Sequence, residues 1–184
     1  PINELAYLLE SISPARLFDE TIKLLASGQA EATWELLRKY QPGNYLFAPT
    51  LRALLTPFRG REQAAELLQL ALRNTDNRLA DGKSVTPAFL YAALLWPVIQ
   101  LKLALHPLPK LNPGQQLNAA ANSAIAEQLT YTSIPKRFTQ VSKEIWELQA
   151  RLEQRNRRAV EGVFEHPRFR AAYDFLLLRE EGGE

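Results

Sequence analysis

Apolar residues recur at intervals of three and four along almost the whole chain, and no segment alternates apolar and polar residues as a half-buried strand would. The first apolar stripe consists of Leu5, Leu8, Leu9 and Ile12. A later stripe runs through Trp34 and Leu37 to Tyr40, and a long helix is expected over residues 62–79. This pattern predicts an all-α protein of roughly eight to ten helices.

Capping residues, prolines and glycines indicate where these helices begin and end. Ser13 and Thr86 each precede a proline, which is the usual order of an N-cap and the first helical residue. A break is predicted at residues 42–44, and Pro97 should kink or stop its helix. We therefore expect three regions: residues 1–40, a helical body over residues 41–133, and a C-terminal helical region over residues 134–184.

The composition excludes cysteine-based sites and gives no strong sign of nucleic-acid or membrane binding. The net charge of +2 is too small to indicate nucleic-acid binding by itself. The absence of cysteine excludes a disulfide framework and thiolate metal sites, and it fits a cytoplasmic protein. The longest apolar run, residues 88–105, includes Pro97, Gln100 and Lys102, so we expect a buried core helix and no membrane span.

Basic residues are concentrated in the last third of the chain. Between residues 134 and 158, seven Lys and Arg stand against three Glu, which gives this segment a net charge of +4. The basic residues are Lys136, Arg137, Lys143, Arg151, Arg155, Arg157 and Arg158. Such a cluster is suited to phosphate contacts. The alternative is a solvated helix face on which Glu147 and Arg151 pair one turn apart.

Aromatic residues beside these cations favour RNA over a merely solvated face. Phe138, Trp146 and Phe169 lie near the basic residues, and aromatic rings next to phosphate-binding charges hold single-stranded RNA without reading its sequence. Phe138 is therefore a candidate stacking residue, Arg168 and Arg170 join the predicted RNA contacts, and we expect Trp146 to be partly exposed. The aromatic residues expected in the core are Trp34, Trp96, Tyr173 and Phe175.

Several segments together resemble a known family. They are residues 13–20 (Ser-Pro-Ala-Arg-Leu-Phe-Asp-Glu), 74–78 (Asn-Thr-Asp-Asn-Arg), 87–90 (Pro-Ala-Phe-Leu), 134–138 (Ile-Pro-Lys-Arg-Phe), 145–149 (Ile-Trp-Glu-Leu-Gln) with Arg151, and 166–179. In this order they resemble the C-terminal neck, body and leg of bacterial poly(A) polymerases, which belong to the class II nucleotidyltransferases together with the CCA-adding tRNA enzymes. The resemblance makes residues 1–40 the end of the neck.

The resemblance implies a larger enzyme that adds AMP from ATP to RNA 3′ ends, using Mg²⁺ ions held by carboxylates of a catalytic head. The head motifs, a glycine-rich turn followed by paired aspartates among them, do not occur in this sequence. Asp19 and Glu20 are adjacent on a helix and diverge, and Asp76 and Asp81 lie too far apart to converge reliably. We therefore expect no catalytic residue, metal site or cofactor in this chain, and no activity from it alone.

Two alternatives remain open from the sequence. The first is the body of a CCA-adding enzyme, which grips tRNA. The second is a helical protein-interaction module, in which Val141, Ile145 and Leu148 form an exposed docking face. The preferred interpretation has single-stranded RNA 3′ ends as the ligand, with proteins of RNA processing as further partners.

Overall fold

A computed structural model describes residues 2–153 and 162–184 of the chain, and within these ranges every regular element is a helix. The elements are α1 (Ile2–Leu5), a 3₁₀ helix (Ala6–Ser11), α2 (Pro14–Leu25), α3 (Ala30–Lys39), α4 (Pro42–Leu46), α5 (Ala48–Leu55), α6 (Arg61–Ala80), α7 (Pro87–Leu105), α8 (Pro113–Gln128), α9 (Lys136–Leu152) and α10 (Phe169–Glu181). The all-α prediction is confirmed.

The helix starts follow the capping signals in the sequence. Ser13 Oγ accepts the backbone N–H of Arg16 at 3.3 Å, and Thr86 Oγ1 accepts that of Phe89 at 3.3 Å. A proline occupies the first turn of both helices, where its missing N–H costs no hydrogen bond. Both predicted caps are confirmed.

Helix α7 is the centre of the core. Its residues 88–99 are all buried, except that Phe89 is only partly covered, and α5, α6, α8 and α9 pack around it. By length and composition alone α7 could cross a bilayer, and it is the one helix of the described residues that could. Most of its side chains are enclosed by the protein, as the sequence predicted for a core helix.

Pro97 does not stop α7, which continues to Leu105, so that part of the prediction is wrong. Neighbouring helices donate hydrogen bonds to carbonyls just before the proline: Thr50 Oγ1 to the Leu94 oxygen at 2.8 Å, and Trp146 Nε1 to the Ala92 oxygen at 3.2 Å. The acceptor that loses its helical donor at Pro97 is the Ala93 carbonyl, and these two bonds tie the residues on either side of it to α5 and α9.

The first 55 residues differ from the prediction in two places. Pro42 begins α4 instead of opening a loop, because a proline in the first helical turn fits the helix. The chain direction changes at Tyr40, whose backbone is extended. Leu5 and Leu8 of the predicted first stripe are about half exposed, since residues 6–11 form a 3₁₀ helix and lose the α-helical spacing.

One helix of this fold is capped by a residue from another helix. Asp76 on α6 accepts the backbone N–H groups of Ala30 at 2.6 Å and Glu31 at 3.1 Å, which are the first two residues of α3. A carboxylate at a helix N-terminus is stabilising because it satisfies free donors and faces the positive end of the helix dipole. The cap ties α3 to α6.

The C-terminal helices pack back on the body. A single core cluster includes Leu25 from the first predicted region, Leu94 from the second and Phe175 from the third. Helix α9 contacts α7, α8 and α10, and α10 also contacts α6. Three neighbouring helices therefore determine which side of α9 is left open to solvent.

Candidate nucleic-acid interface

The turn before α9 is anchored by a buried polar cluster. Tyr91 on α7 places its hydroxyl 3.2 Å from Thr132 Oγ1, and Gln128 Nε2 donates to the same threonine oxygen at 2.9 Å. Burial raises the pKa of the Tyr91 hydroxyl, so this group stays protonated and neutral. The backbone N–H of Ser133 donates to the Pro14 carbonyl at 3.0 Å, which joins the turn to the start of α2.

The buried side of α9 includes a residue that was expected at the surface. Trp146 is fully buried, and its indole N–H donates to the Ala92 carbonyl. Ser142, one turn earlier, donates to the Ala88 carbonyl at 2.8 Å. The prediction that Trp146 is partly exposed is wrong, because α9 packs against α7 on this side as well as along its apolar stripe.

The prediction of an exposed docking face on α9 is also wrong. Ile145 and Leu148 are 1% and 3% exposed, and Val141 is half-buried against the core cluster. These side chains are already covered by the protein's own helices. They offer no surface to a partner.

The open side of α9 carries a row of cations. Lys136, Lys143 and Arg151, here called the basic stripe, recur at intervals of seven and eight residues and so lie on one face over about 22 Å. Among the described residues no carboxylate lies within 4 Å of Lys136 or Lys143. Glu147 accepts a hydrogen bond from Asn118 at 2.9 Å, and no ion pair with Arg151 forms in the described part of the chain.

Lys136 and its neighbour Arg137 occupy the first turn of α9, and both are exposed. No side chain caps this helix terminus. The positive end of the helix dipole therefore adds to the two formal charges, which makes this the place on α9 where an anion is held most favourably.

Phe138 lies between the protein core and this cationic turn. Its ring stacks on Phe18 of α2 with 5.8 Å between centroids, and the Arg137 guanidinium lies 4.8 Å from the ring centre. The ring is half-buried as a result. Stacking of an RNA base on Phe138 stays a prediction, and any such contact would use only the edge or face left open by these two neighbours.

The remaining predicted cations belong to the start of α10 or fall outside the described residues. Arg168 pairs with Glu144 of α9 at 3.1 Å, and Arg170 pairs with Asp174 at 3.0 Å. The Arg170 pair is solvent-exposed and the Arg168 pair is partly buried. Exposed pairs contribute little to stability, so a phosphate can compete more readily for Arg170. The backbone N–H of Arg168 donates to His166 Nδ1 at 3.1 Å. The residues outside the described ranges are Arg155, Arg157 and Arg158.

A cluster of aromatic rings near Arg168 was not foreseen. Phe164, Phe169 and Tyr173 are in ring contact, and Phe164 and Tyr173 are 59% and 42% exposed. The expectation that Tyr173 belongs to the core is therefore wrong, whereas Phe175, like Trp34 and Trp96, is buried as predicted. Their spacing of four residues could have predicted that Phe169 and Tyr173 are neighbours on one helix. It could not have predicted that they lie at the surface.

The carboxylates considered in the sequence have structural partners. Glu20 pairs with Lys23 at 2.8 Å, and this hydrogen bond lowers the pKa of Glu20. Asp76 caps α3, as described above. The described residues include no group of three or more His, Cys, Asp or Glu that could hold a metal ion. The surface around α9 and α10 is equipped to bind an anionic polymer.

Two family models match different parts of the chain. Residues 109–184 match the family described as the arginine-rich C-terminus of polymerase A. Residues 1–55 match the family described as the "probable RNA and SrmB-binding site of polymerase A". The segment that carries an RNA-binding description is therefore not the one that the sequence favoured. The two segments meet where α2 contacts the start of α9.

Whole-chain comparisons agree with these matches. Poly(A) polymerase I of Haemophilus influenzae is 41% identical over 100% of this chain and 41% of its own length. The enzymes of Escherichia coli O157:H7 and Salmonella typhimurium are 38% and 37% identical over 98% of this chain and 39% of their own lengths. The chain thus spans about two fifths of the length of the curated relatives it matches.

Proposed function

Because this chain belongs to the poly(A) polymerase family, we propose that it is the RNA-binding portion of an enzyme that adds AMP from ATP to RNA 3′ ends. One observation carries the proposal: the cationic start of α9 packs on the segment that the RNA-binding family model matches. Ser133 is hydrogen-bonded to Pro14, and Phe138 stacks on Phe18. The two segments thus supply one continuous surface.

The geometry supports recognition of single-stranded RNA through its backbone. The basic stripe and Arg137 contact phosphates. Arg16 on α2 is also exposed and extends this surface across the junction between the two segments. Phosphate contacts of this kind position a strand without reading its sequence, which suits an enzyme that extends many different 3′ ends. The relatives reported above are poly(A) polymerases, which favours polyadenylation of mRNA over CCA addition.

The remaining chemistry belongs to other parts of the parent enzyme. ATP, Mg²⁺ and the catalytic carboxylates would come from a head outside this chain, and the parent would act in the cytoplasm. The chain's own contribution is to hold the RNA so that its 3′ end reaches that head. Tethering the strand in this way raises the effective concentration of the 3′ end at the catalytic site.

The proposal is tested by removing the two charges at the start of α9. We expect Lys136→Ala/Arg137→Ala to weaken binding of single-stranded RNA about 10-fold at low salt, equally for different sequences. Losing two phosphate contacts should also reduce the slope of log affinity against log salt by about 1.4. Fluorescence anisotropy with labelled oligonucleotides measures both quantities.

The matched control removes two charges elsewhere. Arg78→Ala/Lys83→Ala alters cations at the end of α6, where Arg78 donates to the Ser84 carbonyl and Lys83 pairs with Asp81. Its affinity should stay close to that of the unaltered chain. If the α9 double variant keeps full affinity and its circular dichroism spectrum is unchanged, the cations form only a solvated face and the proposal fails.

A protein partner is a second candidate, favoured by the apolar surface of residues 1–55. A groove of about 320 Å³ between α3 and α5 has a leucine floor and a rim that includes Arg38 and Lys39. Leu55 at its edge is 80% exposed. Such a groove fits an amphipathic helix with acidic residues, and the description that matches this segment includes SrmB.

This second candidate is tested at the edge of the groove. Leu55→Asp should weaken the binding of purified SrmB at least about 10-fold, because it places a charge where an apolar contact would form. RNA affinity should not change. Equal binding of SrmB by the variant and the unaltered chain in a calorimetric titration would exclude the groove.

A further inference from the structure

Three aromatic side chains form a continuous array at the start of α10. The Phe164 and Phe169 ring centroids are 4.5 Å apart, and the Phe169 and Tyr173 rings are stacked with 5.9 Å between centroids. We call these three residues the aromatic platform. Its middle ring is partly buried and its two outer rings are open to solvent.

The middle ring of the platform packs on the body of the protein. Phe169 packs on a small apolar cluster formed by Leu148, Val163 and Ala172, which joins α9, the segment before α10, and α10 itself. Each outer ring contacts Phe169, so part of its orientation is set before a ligand arrives. Little conformational entropy is lost when a flat ligand is placed against such rings.

Few aromatic rings of the described residues are as exposed as the outer two of the platform. All eight phenylalanines lie in the described ranges, and Phe164 is the one that is largely exposed. The three tryptophans are all buried. Leaving Phe164 and Tyr173 in water forgoes burial energy that the tryptophans gain. Tyr7 is also 57% exposed, but the rings of Phe164 and Tyr173 are joined through Phe169 into one array. Exposed aromatic surface of this kind commonly marks a binding site.

Cations surround the platform. Arg168 and Arg170 flank Phe169 in the chain, and the Arg151 guanidinium approaches Gly162, where an added Cβ would lie 3.1 Å from Arg151 Nη2. Glu144 pairs with Arg168 in a partly buried contact, and Asp174 pairs with Arg170 in an exposed one. From residue 136 to residue 170 the sequence has nine basic and five acidic residues, so the surrounding segment as a whole attracts a polyanion.

We propose that the aromatic platform stacks unpaired bases of the RNA whose phosphates the basic stripe holds, an inference that rests on the function proposed above. Every base has a flat π-face, so this contact tolerates any sequence but requires a single strand. Phe164 and Tyr173 make the contacts with the bases. Phe169 positions them, and Arg151, Arg168 and Arg170 lie close enough to contact the adjoining backbone.

The test compares an RNA that has bases with one that lacks them. The probes are a single-stranded oligoadenylate of twelve nucleotides and an abasic oligoribonucleotide of the same length. Phe164→Leu/Tyr173→Leu keeps the apolar bulk and removes the π-faces. We expect this variant to bind oligoadenylate about 10-fold more weakly, with an unchanged salt slope and unchanged affinity for the abasic strand.

The matched control replaces two similarly exposed leucines elsewhere. Leu105 and Leu108 are 49% and 45% exposed near the end of α7. Leu105→Ser/Leu108→Ser should bind both probes like the unaltered chain. Thermal unfolding of each variant confirms that the compared proteins are folded at the temperature of the titration.

The outcomes separate this proposal from the function on which it rests. If the unaltered chain binds both probes equally and the leucine variant behaves the same way, the platform does not stack bases, although RNA binding stands. If the variant loses affinity for both probes in parallel, the rings act only through the fold, and the proposal is overturned. If the unaltered chain binds neither probe, both the proposed function and the platform fail.

Discussion

Replacement of Trp146 by alanine is expected to lower the free energy of unfolding by about 3 to 5 kcal/mol, the usual cost of truncating a fully buried aromatic residue. Trp146 is among the largest completely enclosed side chains, and its indole N–H is bonded to the Ala92 carbonyl of α7. Alanine would leave a cavity between α7 and α9 and remove the side-chain hydrogen bond that joins α9 to the Ala92 carbonyl. Urea denaturation followed by circular dichroism measures the loss.

The control for this prediction lies on the same helix. Lys143→Ala changes a residue on the open side of α9 and should alter the free energy of unfolding by less than about 0.5 kcal/mol. Because Trp146 holds α9 against α7, the tryptophan variant should also bind RNA less well as the temperature approaches its unfolding midpoint. A loss of less than about 1 kcal/mol for Trp146→Ala would contradict the packing described here.

Replacement of Gly43 by alanine is expected to destabilise the protein by about 3 kcal/mol. A Cβ at this position would lie 1.9 Å from the Leu37 carbonyl oxygen and 2.8 Å from its carbon. Both atoms belong to the backbone, so no side-chain rotation relieves the clash. Helix α4 would have to move away from α3, which opens the packing of Leu37 and Leu46.

Gly114 provides the matched comparison for Gly43. It also lies in the first turn of a helix, but its added Cβ would meet only the Asn112 side chain, at the ordinary distance of 3.5 Å. Gly114→Ala should be neutral or stabilising by up to about 1 kcal/mol, because alanine favours the helix. Equal melting temperatures for the two variants would show that α3 and α4 are not in close contact.

The groups proposed to hold RNA are of two kinds, cations on α9 and aromatic rings before and on α10. The cations of α9 supply an attraction that falls steeply with salt, whereas the rings before and on α10 supply one that does not. Variants of Lys136 and of Phe164 should therefore show different salt dependence, which distinguishes the two contributions in one series of titrations.

Local sequence was sufficient to predict the all-α fold and several helix starts. Ser13 and Thr86 cap the helices that follow them because a hydroxyl and a proline in adjacent positions favour a helix start wherever they occur. The length and apolar content of α7 likewise predicted a core helix. Helical spacing alone also separates Lys143 from Ile145, which is buried in the structure.

Only the tertiary structure decided which surfaces are covered. Trp146 is buried and Phe164 exposed, although both are aromatic residues near arginines, because α7 covers one and no described helix covers the other. Asp76 became the cap of α3 through a contact 46 residues away in sequence. Periodicity fixes the side of a helix on which a residue lies, but burial depends on which helices pack there, and that is set by contacts between distant segments.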